Sequence, residues 1–173
     1  MYAQDSAADR FDVRIQIPAG FPVEEPKVWE LEARIPRTED RHMNGNSGEC
    51  CLTVWEAWRA STTEQTFETF MEGPVADFFL GQSMVELGDD WPFDELPHGR
   101  PGIVKAFAEV IGHVDSEEEV AAYLKILSRK QLKGHLLCPC GSGKIIRKCH
   151  RSELEAVATR IDPSLATKML ERL

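Results

Sequence analysis

"HMNGNSGECCL", residues 42–52, holds a histidine, two asparagines, two glycines and a pair of adjacent cysteines. The chain has five cysteines in all, and the other three lie in "CPCGSGKIIRKCH", residues 138–150. Asn, Gly and Ser at 44–48 are turn formers, so Cys50 and Cys51 follow a tight loop. In extended chain, neighbouring side chains point to opposite faces, which makes joint ligation of one metal by Cys50, Cys51 and His42 awkward. A vicinal disulfide is strained and poorly suited to a reducing compartment. A cysteine beside an apolar residue is more often buried and inert than reactive, so packing and reactivity both stay open at this point.

Upstream, "FDVRIQIP" (11–18) alternates Phe11, Val13, Ile15 and Ile17 with polar residues. That period of two predicts a half-buried strand, stopped by Pro18 and Gly20. "VWELEARIP" (28–36) repeats the pattern and predicts a second strand with Trp29, Leu31, Ala33 and Ile35 on one face. The Pro-containing "AGFPVEEP" between them makes the two strands antiparallel neighbours. Downstream, Phe67, Phe70, Met71, Val75, Phe78 and Phe79 have helical spacing and read as core, with Pro74 a kink or break. After a rigid loop, "DDWPFDELPHGRPG" (89–102), a helix is expected from about Pro101 to Gly112. Ser116 with Glu119, and Ser152 with Glu155, have capping-box spacing, and Asp162-Pro163 predicts a helix break.

Composition bounds the class. The chain has 173 residues, 42% hydrophobic and 28% charged, enough for one ordinary domain plus an appendage. No apolar run approaches a membrane span and the start lacks the features of a secretory signal, so cytoplasmic localisation and no membrane partner are expected. Seven basic residues and no acid lie between Arg129 and Arg151; taking them from the formal −9 leaves −16 for the remainder. An acidic body with a small basic module argues against non-specific nucleic-acid binding by the body, while the module can touch phosphate or an acidic protein surface.

Within that module, Cys138 and Cys140, then Cys149 and His150, supply two close pairs of soft ligands around a Gly-Ser-Gly turn. Four such ligands suit a closed tetrahedral zinc site, with the metal replacing a core so short a segment cannot build. The string resembles the SEC-C motif, a small zinc module appended to many bacterial proteins, with all four ligands at the family's spacing. The resemblance implies a structural zinc and a protein partner, with no catalytic role for the metal.

The order of segments across residues 11–80 resembles the ubiquitin-conjugating enzymes. Their strand, "YPxxPP", strand, His-Pro-Asn and Gly-x-x-Cys-Leu elements fall here as "FDVRIQIP", "FPVEEP", "VWELEARIP", "HMN" and "GECCL". "WPFDELPHGRPG" (91–102) is similar to a segment of divergent bacterial members. The resemblance implies that Cys51 carries the thioester, that His42 braces the loop, and that Asn44 supports the oxyanion or the loop. Cys50 is a possible second thiol. The chain departs from the pattern in four ways. Met43 replaces proline, the Asn-to-Cys spacing is about one residue short, Cys50 stands where an apolar residue is usual, and the N-terminal helix and first strand are missing. Asn46 is an alternative to Asn44 on that spacing. His98, in a Pro/Gly loop, is a candidate to lower the Cys51 pKa, and the thiol is expected not to be strongly basic. Asp89, Asp90 and Glu95 are candidates to deprotonate an incoming amine.

The expected fold class is therefore α+β, an antiparallel meander sheet packed on helices, with a zinc-stapled C-terminal module. The expected domains are 1–112 (conjugating-like), 113–135 (helical bridge) and 136–173 (zinc module with terminal helix). The implied function is an acyltransferase that takes a protein C-terminus from an activating enzyme and transfers it to an amine, in a bacterial antiphage or ubiquitin-like modification system. The implied cargo is a ubiquitin-like protein or a nucleotidyltransferase C-terminus; nucleic acid is not expected as a partner. A non-catalytic adaptor on the same fold is the alternative, and a cysteine hydrolase pairing Cys51 with His98 is a third reading.

Overall fold

The computed structural model describes residues 9–112 and 114–173; residues 1–8 and His113, which sequence reading treats as a surface or cap histidine, lie outside the described residues. The chain is mixed helix and strand and divides into two compact units. The first unit comprises residues 1–53 and 64–95, the second 54–63 and 96–173. No helix among the described residues is long and apolar enough to cross a membrane.

In the first unit, β1 (Val13–Gln16) pairs antiparallel with β2 (Lys27–Glu30), Val13 lying opposite Glu30 and Gln16 opposite Lys27. The turn between them contains a cis Phe21-Pro22 peptide bond. β1 alternates as its sequence predicts, with Val13 and Ile15 half-buried and Arg14 and Gln16 exposed. The face expected for β2 is corrected. Val28 (1% exposed) and Glu30 (6%) point inward, while Leu31 is 58% exposed. The Glu30 carboxylate explains the change, because it accepts hydrogen bonds from the backbone N–H of Glu32 (2.7 Å) and Arg34 (3.0 Å). A buried carboxylate needs such donors. Curling around it takes Ala33 to φ +54° and ends the strand, after which Ile35 returns to the core.

The sheet has two strands; a third segment joins it through a single bridge, Trp29 opposite Glu49, and closes on itself through another, Met43 opposite Cys50. On the other side of β2, the Arg14 guanidinium lies 4.2 Å from the Trp29 ring centre, a cation–π contact.

The helical stretch after Thr66 is continuous. α2 (Phe67–Phe70) passes through a π-helical turn, Met71–Val75, into α3 (Ala76–Glu86). Thr66 and Thr69 cap its start reciprocally. Pro74 lacks an N–H and its ring crowds the preceding turn, and the wider π turn takes it without ending the helix. Phe70, Val75 and Phe78 are buried, but Phe67 is 39% exposed, so the expected core stripe is only partly core.

The second unit is helical: α1 (Trp55–Ser61), α4 (Arg100–Ile111), α5 (Glu117–Leu127), α6 (Arg151–Ala158) and α7 (Pro163–Glu171). The "WEAW" segment after the cysteines opens helix α1, with Trp55 and Trp58 stacked at 4.5 Å. Phe107, Leu124, Ile146, Leu154 and Met169 are fully buried in one cluster with Ala57, Ala60 and Cys138. The expected boundaries at 112 and 135 therefore do not divide the core. α4 and α5 share it with the C-terminal helices, because their apolar faces (Phe107 and Val110; Val120, Tyr123, Leu124 and Leu127) have those helices to pack against.

Of the two expected capping boxes the one at Ser116 forms, and at the expected break, Asp162-Pro163, a further helix is capped. The Ser116 hydroxyl accepts from Glu119 N, and the Glu119 carboxylate accepts from Asp115 N. The Asp162 carboxylate accepts from Ser164 and Leu165 N, with Pro163 at the first helical position. Ser152 caps nothing: α6 starts one residue earlier with His150 as N-cap, and Glu155 pairs with Arg151 at 2.8 Å. Two substitutions test these packing and capping assignments. Phe107→Ala is expected to cost about 3–5 kcal/mol, from lost burial plus a cavity. Asp162→Ala is expected to cost about 1 kcal/mol, from a lost cap. Urea denaturation followed by circular dichroism measures both.

Candidate functional site

The paired cysteines sit on a hairpin built by local backbone bonds. Glu39–Arg41 form a single 3-10 turn, and His42 follows in the left-handed region with φ +49°. Met43 lies opposite Cys50; Asn44 N donates to Glu49 O and Cys51 N to His42 O, each at 2.8 Å. Cys50 N donates to Val28 O at 2.8 Å, which ties the hairpin to β2. Period-two geometry then separates the two thiols: Cys50 is 6% exposed in the core, whereas Cys51 is exposed. Met43 is buried (2% exposed), so the residue in the proline position of "HMN" is part of the hydrophobic core.

The loop amides are largely used within the loop. Asn44 Oδ1 accepts from Asn46 N and Ser47 N, each at 3.0 Å, and Gly48 N donates to Asn44 O at 2.8 Å. Asn44 thus shapes the turn through its carbonyl oxygen, and Asn46 contributes its backbone N–H to that turn. Gly48 has φ +67°, a left-handed conformation that favours glycine, and it lies against the movable Arg37 guanidinium.

His42 lies between an aromatic ring and a carboxylate. Its ring centre is 4.6 Å from that of Trp91, and Nε2 is 3.6 Å from Glu95 Oε1. Sequence reading missed the lock behind this turn. Gln82, fully buried on α3, donates from Nε2 to Arg41 O and accepts from Arg41 Nε, both at 2.8 Å. A glutamine within the apolar run of α3 was the available signal. It passes unread because its partner lies 41 residues away.

Electrostatics correct the expectation of a thiol that is not strongly basic. Burial pushes the Cys51 thiol up from its ordinary value, and the carboxylates of Glu49, Glu25 and Glu39 push it in the same direction. Burial pushes Cys50 further, to about 12. His98 is exposed, in the loop before α4, and belongs to the second unit, whereas His42, Asn44 and Cys51 belong to the first. Within the first unit, the backbone bonds of the hairpin hold His42, Asn44 and Cys51 on one short segment.

The metal-ligating residues do converge. Sγ of Cys138, Cys140 and Cys149 and a ring nitrogen of His150 all lie within 4.8 Å of one another. Cys140 Sγ is 3.6 Å from Cys149 Sγ, and His150 Nδ1 is 3.4 Å from Cys138 Sγ and 3.5 Å from Cys149 Sγ. A tetrahedral zinc with ordinary bond lengths sets such edges at about 3.8 Å between sulfurs and about 3.6 Å between sulfur and nitrogen. The donor set fits a metal ion in both chemistry and spacing. Gly141 and Gly143, each with φ +72°, return the chain, and Cys138 N donates to Lys144 O at 2.8 Å. Burial raises the Cys138 thiol, while the Ser142 hydroxyl beside Cys140 lowers that thiol to about 6.

Contrary to expectation, this segment does not lack a core. Ile146, between the ligand pairs, is fully buried, as is Leu154 one turn beyond His150. Compared with protein-family models, curated proteins and solved structures, the chain has no match.

The thiols provide a direct test. Iodoacetamide is expected to label Cys51 and spare Cys50 in the folded chain, read by peptide mass spectrometry. The Cys51 rate should still be rising above pH 9, because its thiolate forms late. Glu49→Gln removes a negative neighbour and should move the profile to lower pH.

Proposed function

We propose that the chain is a ubiquitin-conjugating-like acyl carrier, in which Cys51 accepts a protein C-terminus as a thioester and passes it to an amine. The observation that carries this reading is the separation of two adjacent thiols, Cys50 in the core and Cys51 exposed at the foot of a braced hairpin. The Cys51 thiolate attacks the carbonyl of an activating enzyme's thioester, and the donor sulfur leaves. An amine then attacks the new thioester and Cys51 leaves. A thiol pushed up in pKa leaves less readily, so acyl exchange from a less basic donor thiol favours loading Cys51. Asn44 Oδ1 is committed to the loop, which leaves its Nδ2 as the side-chain donor for the tetrahedral oxyanion. His42 braces the loop through Trp91, and its carbonyl positions the Cys51 amide. Asp89, Asp90 or Glu95 takes the proton of the attacking amine in this scheme.

At Cys138, Cys140, Cys149 and His150 the reading places a structural zinc, on the strength of three thiols and an imidazole whose ligand atoms lie within 4.8 Å of one another. The exposed cations around it, Lys133, Lys144, Arg147 and Lys148, present a basic surface to a protein partner. The second reading is the non-catalytic adaptor. It is favoured by one observation, that Glu25, Glu39 and Glu49 disfavour the thiolate on which any attack depends.

Intact mass of the protein from cells expressing its neighbouring genes separates the two. A mass increase removed by thiol reductant and absent in Cys51→Ala, but kept in Cys50→Ala, is expected of the carrier. Absence of any adduct beside an active activating enzyme would sink that reading and leave the adaptor. For the metal, native mass spectrometry is expected to show one zinc per chain, lost in Cys138→Ser. Because Ile146 and Leu154 anchor the segment to a core, that variant should keep most of its helical circular dichroism.

A further inference from the structure

We propose that Cys140 and Cys149 form a peroxide-responsive switch, in which oxidation joins their sulfurs and expels the metal; this rests on the zinc reading above. Their Sγ atoms are 3.6 Å apart, and Ser142 Oγ lies 3.2 Å from the first and 3.3 Å from the second. Both cysteines are half-buried, so solvent reaches them. Cys138 is different. It is 4% exposed, belongs to the core of its unit, and its Sγ faces His150 Nδ1 at 3.4 Å. An oxidant arriving from solvent therefore meets the outer pair.

The surroundings favour anionic sulfur chemistry. Lys144, Arg147 and Lys148 are exposed between the two cysteines, and no acid occurs from 129 to 151. Reactive cysteines sit in such electropositive, partly exposed settings. Geometry makes bond formation short in reach: the sulfurs need to close from 3.6 Å to the roughly 2.05 Å of a disulfide. The loop between them contains two left-handed glycines, Gly141 and Gly143, whose freedom accommodates that movement.

One sulfur attacks a peroxide oxygen, the O–O bond breaks, and a sulfenic acid and hydroxide form. The second sulfur attacks the sulfenic sulfur, the S–S bond forms, and the S–O bond breaks to release a second hydroxide. Two zinc-bound thiolates thus lose two electrons, hydrogen peroxide gains them, and two solvent protons complete two waters. Cys138 and His150 remain, two ligands where a closed zinc site needs four, and the ion leaves. Ile146 stays seated in the core, so the change is confined to the basic loop that carries Lys144 and the two glycines.

The experiment uses the full chain, purified reduced, with zinc measured by atomic emission before any oxidant is added. A chain without zinc at that stage overturns the zinc reading and this proposal with it. With zinc present, hydrogen peroxide is titrated while a chromogenic chelator reports released metal and non-reducing peptide mapping reports linkages. The expected result is one zinc released per chain together with a Cys140–Cys149 linkage, reversed by dithiothreitol plus zinc. Cys138→Ser, which lacks the full ligand set, should still form that linkage. Linkage through Cys138 in the wild type, sulfinic acid with no disulfide, or zinc retained after the exposed Cys51 is fully oxidised would each overturn the switch while leaving the zinc site standing.

Discussion

The bridge between Met43 and Cys50, seated on β2 through the Cys50–Val28 backbone bond, is the constraint on which the first unit's site depends. It fixes the register of the hairpin, and in extended chain a register shift of one residue exchanges the two faces. With this register Cys50 fills the core beside Met43 and Cys51 stands outside. With the other, the core would receive Cys51 and the exposed thiol would be Cys50. The turn chemistry supports the same choice. Asn44 closes the loop with its side-chain oxygen, and Gly48 takes the left-handed conformation at φ +67°.

The second unit uses a different device for its cluster. Hydrophobic burial of Ile146 and Leu154 places the ligand-bearing segment before any metal is considered. The backbone ladder from Leu136 to Ile146 and from Cys138 to Lys144 then brings Cys138 under the Gly-Ser-Gly turn. A metal ion completes such a site by closing edges that are already short, and it is not asked to fold the segment by itself.

Charge divides along the chain in a way that matters for both sites. Around Cys51 the neighbours that act on the thiol are carboxylates, whereas around the Cys/His cluster the exposed neighbours are cations. The two groups of cysteines therefore have opposite electrostatic surroundings. The hairpin thiols, Cys50 and Cys51, are both pushed up, and the most easily ionised one, Cys140, belongs to the Cys/His cluster.

Much of this was legible in sequence because it is local. Strand alternation in Val13–Gln16, the cap at Ser116, the helix break at Asp162-Pro163, and the four-ligand spacing of 138–150 all depend on residues within a dozen positions of one another. Burial and non-local packing decided the rest. Glu30 is buried with its carboxylate satisfied by the amides of Glu32 and Arg34, a curl that strand alternation does not announce and that reversed the expected face of β2. Gln82 finds Arg41 across 41 residues. α4 and α5 share a core with helices that follow the Cys/His cluster, so the expected bounds at 112 and 135 do not divide it. Sequence by itself determined which residues can react or bind metal, since that is the chemistry of their side chains. Tertiary structure decided which thiol faces solvent and which carboxylates and cations surround it, since burial and charge are properties of neighbours the local sequence does not contain.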